Sequence, residues 1–401
     1  LGKSYEVAGK IRGIKMSDIT RYGEFFAQPV SLIGVGAVKR LPHFAKALGA
    51  KKALLCTDKG VAAIANEVAK ELREKAGIEV EIFDDVIPNP TGECVEKGYR
   101  QFRESKCEML VSVGGGSAHD TAKAIGVMAS HDGSLWDYVG INKLRRAIPP
   151  VIAVNTTAGT GSEVTRFAVI TNVEKKTKLT IIDWRLTPVV AVNDPELMVA
   201  MPPPLTAATG MDALTHAVEA YVSRSATPLT DTLALKSISL ISKYLRKAFA
   251  NGKDMEARSA MAYGQYLAGL AFNSAGVGCV HAIAHQLGGI YNLPHGVCNA
   301  VLLPWVQEFN LIACMERLAD IAVAMGEGQP GLSVRALAEK AIESIRLFAH
   351  DLGIPDRLGE LGVKEEDIPL IATEALKDPS CFTNPRKAGK EELVGLLKRA
   401  L

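Results

Sequence analysis

Short aliphatic and β-branched runs punctuate the first half of the chain. PVSLIGVGA (29–37), ALLCTD (53–58), VEIFDD (80–85), MLVSVGGG (109–116), VIAVNTT (151–157) and VVAVND (189–194) are strand-length and close on Gly, Asn, Asp or Thr. That is the pattern of buried strands. Between several of them lie stretches such as GVAAIANEVAKELREKAG (60–77), with apolar residues at helical spacing. The alternation predicts a parallel sheet with helices on both faces. After MPPPLT (201–206) the character changes, and residues 207 to about 325 are Ala/Leu-rich with no strand pattern. SVRALAEKAIESIRLFAHDLG adds a helix that Gly353 should stop. Pro202–Pro204 divide an α/β half, residues 1–203, from an all-helical half, residues 204–401.

Length agrees with that division, because 401 residues exceed one typical hydrophobic core. A net charge of +2 lacks the basic excess of a nucleic-acid binder. No run of eighteen consecutive apolar residues occurs, so no membrane partner is expected. LGKSYEVAGKIRGIKMSDIT carries no apolar core of signal-peptide length, and residues 1–15, ahead of Met16, read as a tag or extension. The seven cysteines are scattered, with no CxxC pair, which suits thiols in a reducing cytoplasm. Cys279 and Cys298 read as small core residues.

Two turns in the first half offer ligand chemistry. In MLVSVGGGSAHDTAKAIG a strand, a glycine turn and a helix follow one another. Gly114, Gly115, Gly116 and Ser117 would let a pyrophosphate approach the free N–H groups and partial positive charge of the helix start. A ligand-free turn satisfies the same pattern, and the GxGxxG fingerprint is absent. NTTAGTGSEVT (155–165) is a second small, hydroxyl-rich loop. Asp58, ending ALLCTD, is read from the residues alone as a helix cap, with a ribose acceptor as the alternative.

The second half holds the metal chemistry. Asp212 and His216 are four apart in TGMDALTHAVEAY, and His281 and His285 four apart in HAIAH; His295 follows in LPHG. Helical i, i+4 pairs project from one face and can grip one ion. A carboxylate with several imidazoles suits Fe²⁺, Zn²⁺ or Mn²⁺. From Ser259 to Gln307 there is no Asp, Glu, Lys or Arg, so a pocket built there favours a small neutral substrate. HAIAH has Ile283 where the HExxH peptidase motif has its glutamate, which disfavours a zinc peptidase.

VIPNPT (86–91), GGGSAHDTAKA (114–124), TTAGTGSEVT (156–165), TGMDALTHAVEAY (209–221), HAIAHQLGG (281–289), LPHGVCNA (293–300) and TNPR (383–386) together resemble the iron-containing, group III alcohol dehydrogenase family. The resemblance spans nearly the whole chain from about Phe25. It implies a nucleotide-binding α/β domain followed by an all-α metal-binding domain, the dehydroquinate synthase-like architecture. It implies Fe²⁺, with Zn²⁺ or Mn²⁺ as alternatives, on Asp212, His216, His281 and His295, and His285 as a catalytic residue between metal and nicotinamide. NAD(H) would meet Asp58, Asn89, Pro90, Gly115, Gly116, Ser117, Asp120, Thr156, Thr157, Ser162 and Lys178. Phe167 and Phe272 would line the alcohol pocket. Ser380 and Cys381 depart from relatives, whose cysteine falls one place earlier, so this wall should have its own shape. The implied reaction interconverts a small neutral primary alcohol or diol with its aldehyde, in a homodimer or larger homo-oligomer. The rival on the same architecture is an NAD- and metal-dependent lyase of the dehydroquinate synthase type. That lyase needs basic residues around the metal, and the uncharged run argues against it.

Overall fold

The computed structural model describes residues 20, 22–175 and 177–401; residues 1–15, read above as a tag or extension, lie outside them. All six expected strands form: β1 (Val30–Ile33), β2 (Lys52–Thr57), β3 (Glu79–Phe83), β4 (Met109–Gly114), β6 (Val151–Asn155) and β9 (Val190–Asn193). They build one parallel sheet of order β1-β9-β6-β4-β2-β3. Helices α1 (Leu41–Ala47), α2 (Ala62–Glu71), α3 (Gly92–Glu104) and α4 (Gly116–Ser130) connect them. Two apolar clusters cover the sheet, one built around Leu54, Leu110 and Ile125, the other around Leu55, Val111 and Val154. β2, β4 and β6 are neighbours and parallel, so their C-terminal ends open side by side. Such a crevice is where doubly wound sheets bind nucleotides.

A second sheet was not foreseen from the pattern. β5 (Gly140–Ile141), β8 (Thr177–Ile182) and β7 (Phe167–Asn172) pair in the order β5-β8-β7. β7 and β8 form an antiparallel hairpin in which β7 alternates half-buried and buried positions. FAVITN alternates in burial but not in residue type, and the hairpin leaves the main sheet to wall a cavity.

The helical half comprises α5 (Pro203–Val222), α6 (Pro228–Ala250), α7 (Met255–Ala275), α8 (Cys279–Tyr291), α9 (His295–Ala324), α10 (Val334–Asp351), α11 (Ile368–Ala375) and α12 (Lys390–Ala400). Pro202 caps α5, and Pro203 and Pro204 occupy its first turn, where a missing N–H and a fixed φ cost nothing. α10 is followed by Gly353 at φ 70°, the expected helix stop. α7 and α8 meet at a 101° bend across Gly276–Gly278, which turns α8 into the interior. α9 is long and apolar enough in composition to cross a membrane, yet 72% of its apolar window is buried in this fold. Its hydrophobicity is that of a core helix, and it bends at Cys314 (φ −142°, ψ 36°).

Candidate metal and cofactor site

Three helices bring the histidines together. α5 supplies Asp212 and His216, α8 supplies His281 and His285, and His295 is the first residue of α9. Ligand atoms of Asp212, His216 and His281 all lie within 4.8 Å of one another. His295 Nε2 lies 3.8 Å from Asp212 Oδ1, and His281 Nε2 lies 3.7 Å from the same oxygen. Asp212, His216 and His281 are at most 5% exposed.

The amide of Asn299 shows what these groups share. Its Nδ2 is 2.6 Å from Asp212 Oδ1 and 3.1 Å from each Nε2 of His281 and His295. Three lone pairs therefore converge on one amide nitrogen that has only two hydrogens to give. A divalent cation satisfies such a set of donors where an amide cannot, so the residues fit a metal. The donor set, one carboxylate and three imidazoles without thiolate, suits Fe²⁺, Zn²⁺ or Mn²⁺.

Electrostatics in the metal-free pocket reflect the same crowding. Burial alone would raise the Asp212 carboxyl, but the surrounding imidazoles hold it well below the usual range. Burial pushes the His216 imidazole down to about 3 and His295 well below its ordinary value. Burial also works against protonated His281, yet Asp212 and Glu219 outweigh it and raise that imidazole to about 9.

Glu219 escaped the sequence reading. It is 1% exposed; Oε2 accepts from His281 Nδ1 at 2.6 Å and Oε1 accepts from the Val280 N–H at 2.8 Å. With Nδ1–H so engaged, Nε2 keeps its lone pair for an ion. The signal was there: Asp212, His216 and Glu219 stand at i, i+4 and i+7 on one helix face. Asn299, at i+4 from His295, had the same kind of signal. Asp378 had none, being distant in sequence from the histidine it serves.

His285 stands apart from the ligand set. Its Nδ1 bonds Asp378 Oδ2 at 2.8 Å, and its ring stacks at 5.3 Å on that of His295. Burial would raise the Asp378 carboxyl, but His285 and the bonds from Ser380 bring it below its ordinary value. An ionised Asp378 fixes the Nδ1–H tautomer of His285 and leaves Nε2 to accept a proton. Beside it Phe272 stacks on His216 at 4.2 Å, and Phe167 lies 5.8 Å beyond Phe272.

All of this faces one cavity of about 300 Å³ that runs to the glycine turn. Of the expected cofactor residues, Asn89, Pro90, Gly116, Ser117, Asp120, Ser162 and Lys178 line it. The five candidate histidine and aspartate positions, both phenylalanines and Ser380 also line it. Gly115, Thr156, Thr157 and Asp58 do not border this cavity but sit at the adjoining strand ends. Gly115 caps α4, and the Thr156 N–H donates to Gly114 O at 3.0 Å. Gly114 needs its missing side chain: φ is 151°, and a Cβ would fall 2.8 Å from Ala118. Asp58 does cap the next turn, accepting from the Gly60 N–H at 2.8 Å. The same carboxylate lies over the glycine turn, since a Gly114 Cβ would meet its Oδ2 at 3.5 Å. Asp120 is partly structural, accepting from Ser162 Oγ at 2.6 Å and the Val169 N–H at 3.2 Å.

The expectation for Cys381 is corrected. Ser380 lines the cavity, while Cys381 does not border it; its Sγ lies 3.0 Å from Cys279 Sγ. In the helical turn Pro379–Thr383, Pro379, Ser380 and Thr383 border the cavity together with Asp378, which accepts from the Ser380 N–H at 2.9 Å.

A doubly wound nucleotide crevice opening on a buried carboxylate–histidine pocket defines a two-domain enzyme of the nucleotide- and metal-dependent class. Comparison with known proteins gives the class its family. The description "Iron-containing alcohol dehydrogenase" matches residues 29–195, and "Fe-containing alcohol dehydrogenase family, C-terminal" matches residues 206–401. The chain is 52% identical over 384 residues to 1,3-propanediol dehydrogenase of Klebsiella pneumoniae, covering 95% of this chain and 99% of that one. It is 51% identical over 379 residues to NAD-dependent methanol dehydrogenase of Bacillus methanolicus, covering 94% and 99%. A solved 1,3-propanediol oxidoreductase superposes with a TM-score of 0.93 at 51% identity, over 95% of this chain and all of that one. This chain belongs to the iron-containing alcohol dehydrogenase family.

Proposed function

We propose that the protein is a metal-dependent, NAD(H)-linked alcohol dehydrogenase that interconverts a small neutral primary alcohol or diol with its aldehyde. The observation that carries this is the convergence of Asp212, His216, His281 and His295 on a cavity continuous with the glycine turn. Fe²⁺ is the proposed ion, with Zn²⁺ and Mn²⁺ as the alternatives the donor set admits. When bound, it supplies a Lewis acid for the substrate oxygen, and the nicotinamide supplies or accepts the hydride.

The chain's own residues do the rest. Asp212 and the three imidazoles hold the ion, with Glu219 orienting His281. Phe272 and Phe167 exclude water and present an apolar wall to the substrate's carbon chain. His285, held by Asp378, takes the alcohol's proton at Nε2 and returns it in the reverse direction. Asp58 accepts from a ribose hydroxyl and repels a 2′-phosphate, favouring NAD over NADP. Lys178, whose ammonium burial pushes down, lines the cavity and reaches for the cofactor ribose. The lyase reading is not favoured, because the relatives are a 1,3-propanediol dehydrogenase and a methanol dehydrogenase, and the helical wall adds no basic residue to Arg166 and Lys178, which line the cavity from the α/β half. Homo-oligomerisation is part of the proposal; β1 is an edge strand whose outer side pairs with no other strand among the described residues.

The test is NADH oxidation by protein stripped of metal, then given Fe²⁺, Zn²⁺ or Mn²⁺, against a panel of short aldehydes. Metal-restored turnover of neutral aldehydes supports the proposal. Inactivity throughout, with NADH binding intact, would move the weight to the lyase.

A further inference from the structure

Cys279 and Cys381 are 102 residues apart in sequence and meet in space, with 3.0 Å between sulfurs. Cys279 is the first residue of α8 and is buried; Cys381 is half-buried in the turn Pro379–Thr383. The other five cysteines are all buried, and Cys381 alone among the described cysteines is a part-exposed residue. The two segments are already docked: the Cys279 N–H donates to Asn384 Oδ1 at 3.3 Å, and Thr383 Oγ1 donates to Val277 O. The turn that carries Cys381 also carries Asp378, whose carboxylate holds His285 and accepts from the Ser380 N–H at 2.9 Å.

We propose that Cys279 and Cys381 are a reversible dithiol modification site, in which a disulfide between them reshapes the catalytic wall. A low-molecular-weight disulfide is the oxidant. The Cys381 sulfur attacks one of its sulfurs, forming a mixed disulfide and releasing one small thiol. The Cys279 thiol then attacks Cys381 Sγ, expelling the second thiolate, which takes up the proton that Cys279 loses. The protein loses two hydrogens and two electrons, and the small disulfide is reduced to two thiols. The neighbouring Cys381 sulfur and burial hold the Cys279 thiol well above its ordinary value, which slows its attack, and the 3.0 Å approach within one molecule offsets that.

A disulfide bond length near 2.05 Å requires the sulfurs to draw together by roughly 1 Å. α8 is packed into the core, so the half-exposed turn moves, carrying Asp378 with it. A displacement of that size at a positioning group can cost up to about 100-fold in rate. This consequence rests on the proposed role of His285; formation of the bond does not.

The experiment equilibrates metal-loaded, full-length protein, under anaerobic conditions, with glutathione and glutathione disulfide in varied ratio. Intact mass and peptide mapping follow the bond, and NADH-dependent aldehyde reduction follows activity. The expected result is a cross-linked Cys279–Cys381 peptide, lighter by two hydrogens. Activity should fall at least about tenfold in step with it and return with dithiothreitol. Cys381→Ser should lose both the cross-link and the oxidant sensitivity, and Cys279→Ala should lose the cross-link and stop at the Cys381 mixed disulfide, every protein being compared with its own reduced form. Accumulation of glutathione on Cys381 without closure, or no modification at all, overturns the site. A complete cross-link with unchanged turnover overturns its coupling to the wall. A protein inactive in every state would count against the proposed function, while the mass readout would still decide the site.

Discussion

Replacing Glu219 with Gln removes one charge and almost no volume from behind the metal pocket. Two donors converge on this side chain, the His281 Nδ1–H at 2.6 Å and the Val280 N–H at 2.8 Å, each with its own carboxylate oxygen. Gln has one acceptor for the two, and its NH₂ must face the other donor. At 1% exposure no water can intervene. His281 escapes the clash by moving its proton from Nδ1 to Nε2, which removes the lone pair an ion needs. A buried charge-assisted bond is worth about 1.5–3 kcal/mol, or roughly 10–100-fold in metal affinity. The same carboxylate helps to raise metal-free His281 to about 9, so below that pH the ion must displace a proton. Affinity in the parent protein therefore falls as pH falls, and part of the Glu219 benefit is masked at neutral pH. The assay is competition for Zn²⁺ against a chromophoric chelator, on stripped protein of verified fold, near pH 9.5 and at neutral pH. The variant should bind about 10–100-fold more weakly at the high pH, with a smaller deficit at neutral pH. Equal affinity within about twofold at the high pH would refute the orienting role of Glu219.

Three further outcomes are expected. Asp378→Asn should lower kcat by about 10–100-fold and flatten its acid limb while metal content stays constant, and steady-state kinetics across pH would show it. Asp58→Ser keeps a capping oxygen but loses the charge, so the kcat/KM ratio for NADP against NAD should rise at least about tenfold in paired cofactor assays. His119 is fully buried against Ser112 Oγ at 2.8 Å, and burial pushes its imidazole down to about 3. The unfolded chain takes up a proton near pH 6.5 while the folded one does not, so stability drops as pH falls from about 6.5 towards 3. The slope approaches about 1.4 kcal/mol per pH unit from this residue. Urea unfolding of metal-loaded His119→Gln should show a shallower slope across that window than the parent.

The large sheet was legible because its central strands β4, β6 and β9 are buried throughout and read as near-continuous apolar runs, as in VIAVN, while the edge strands β1 and β3 are only partly buried but keep short β-branched runs. The hairpin of β7 and β8 was not, since half its residues face a cavity rather than a core and its pattern is diluted. The histidine cluster was legible because two helices each carry a pair at i, i+4, Asp212–His216 and His281–His285; which of these residues would hold an ion came only from the family resemblance. Their supporting groups divide by the same logic. Glu219 and Asn299 lie on helix faces already identified and could have been found by extending the period. Asp378 reaches His285 only through tertiary packing of a distant turn, and no local spacing announces it. The side on which Cys381 lies is set by tertiary packing against Cys279, 102 residues away, which no local spacing encodes. The apolar stretch around α9 satisfied the composition of a membrane span because a core helix meets the same chemical demand, burial on nearly all sides.

The most direct measurement is a crystal structure of the protein grown anaerobically with Fe²⁺ and NAD, with anomalous data at the iron edge. A single iron peak bonded to Asp212, His216, His281 and His295 at roughly 2.0–2.3 Å, with the nicotinamide reaching the same cavity, is the predicted result. Iron bound elsewhere, or none at these four residues in a preparation that turns over, would contradict the account.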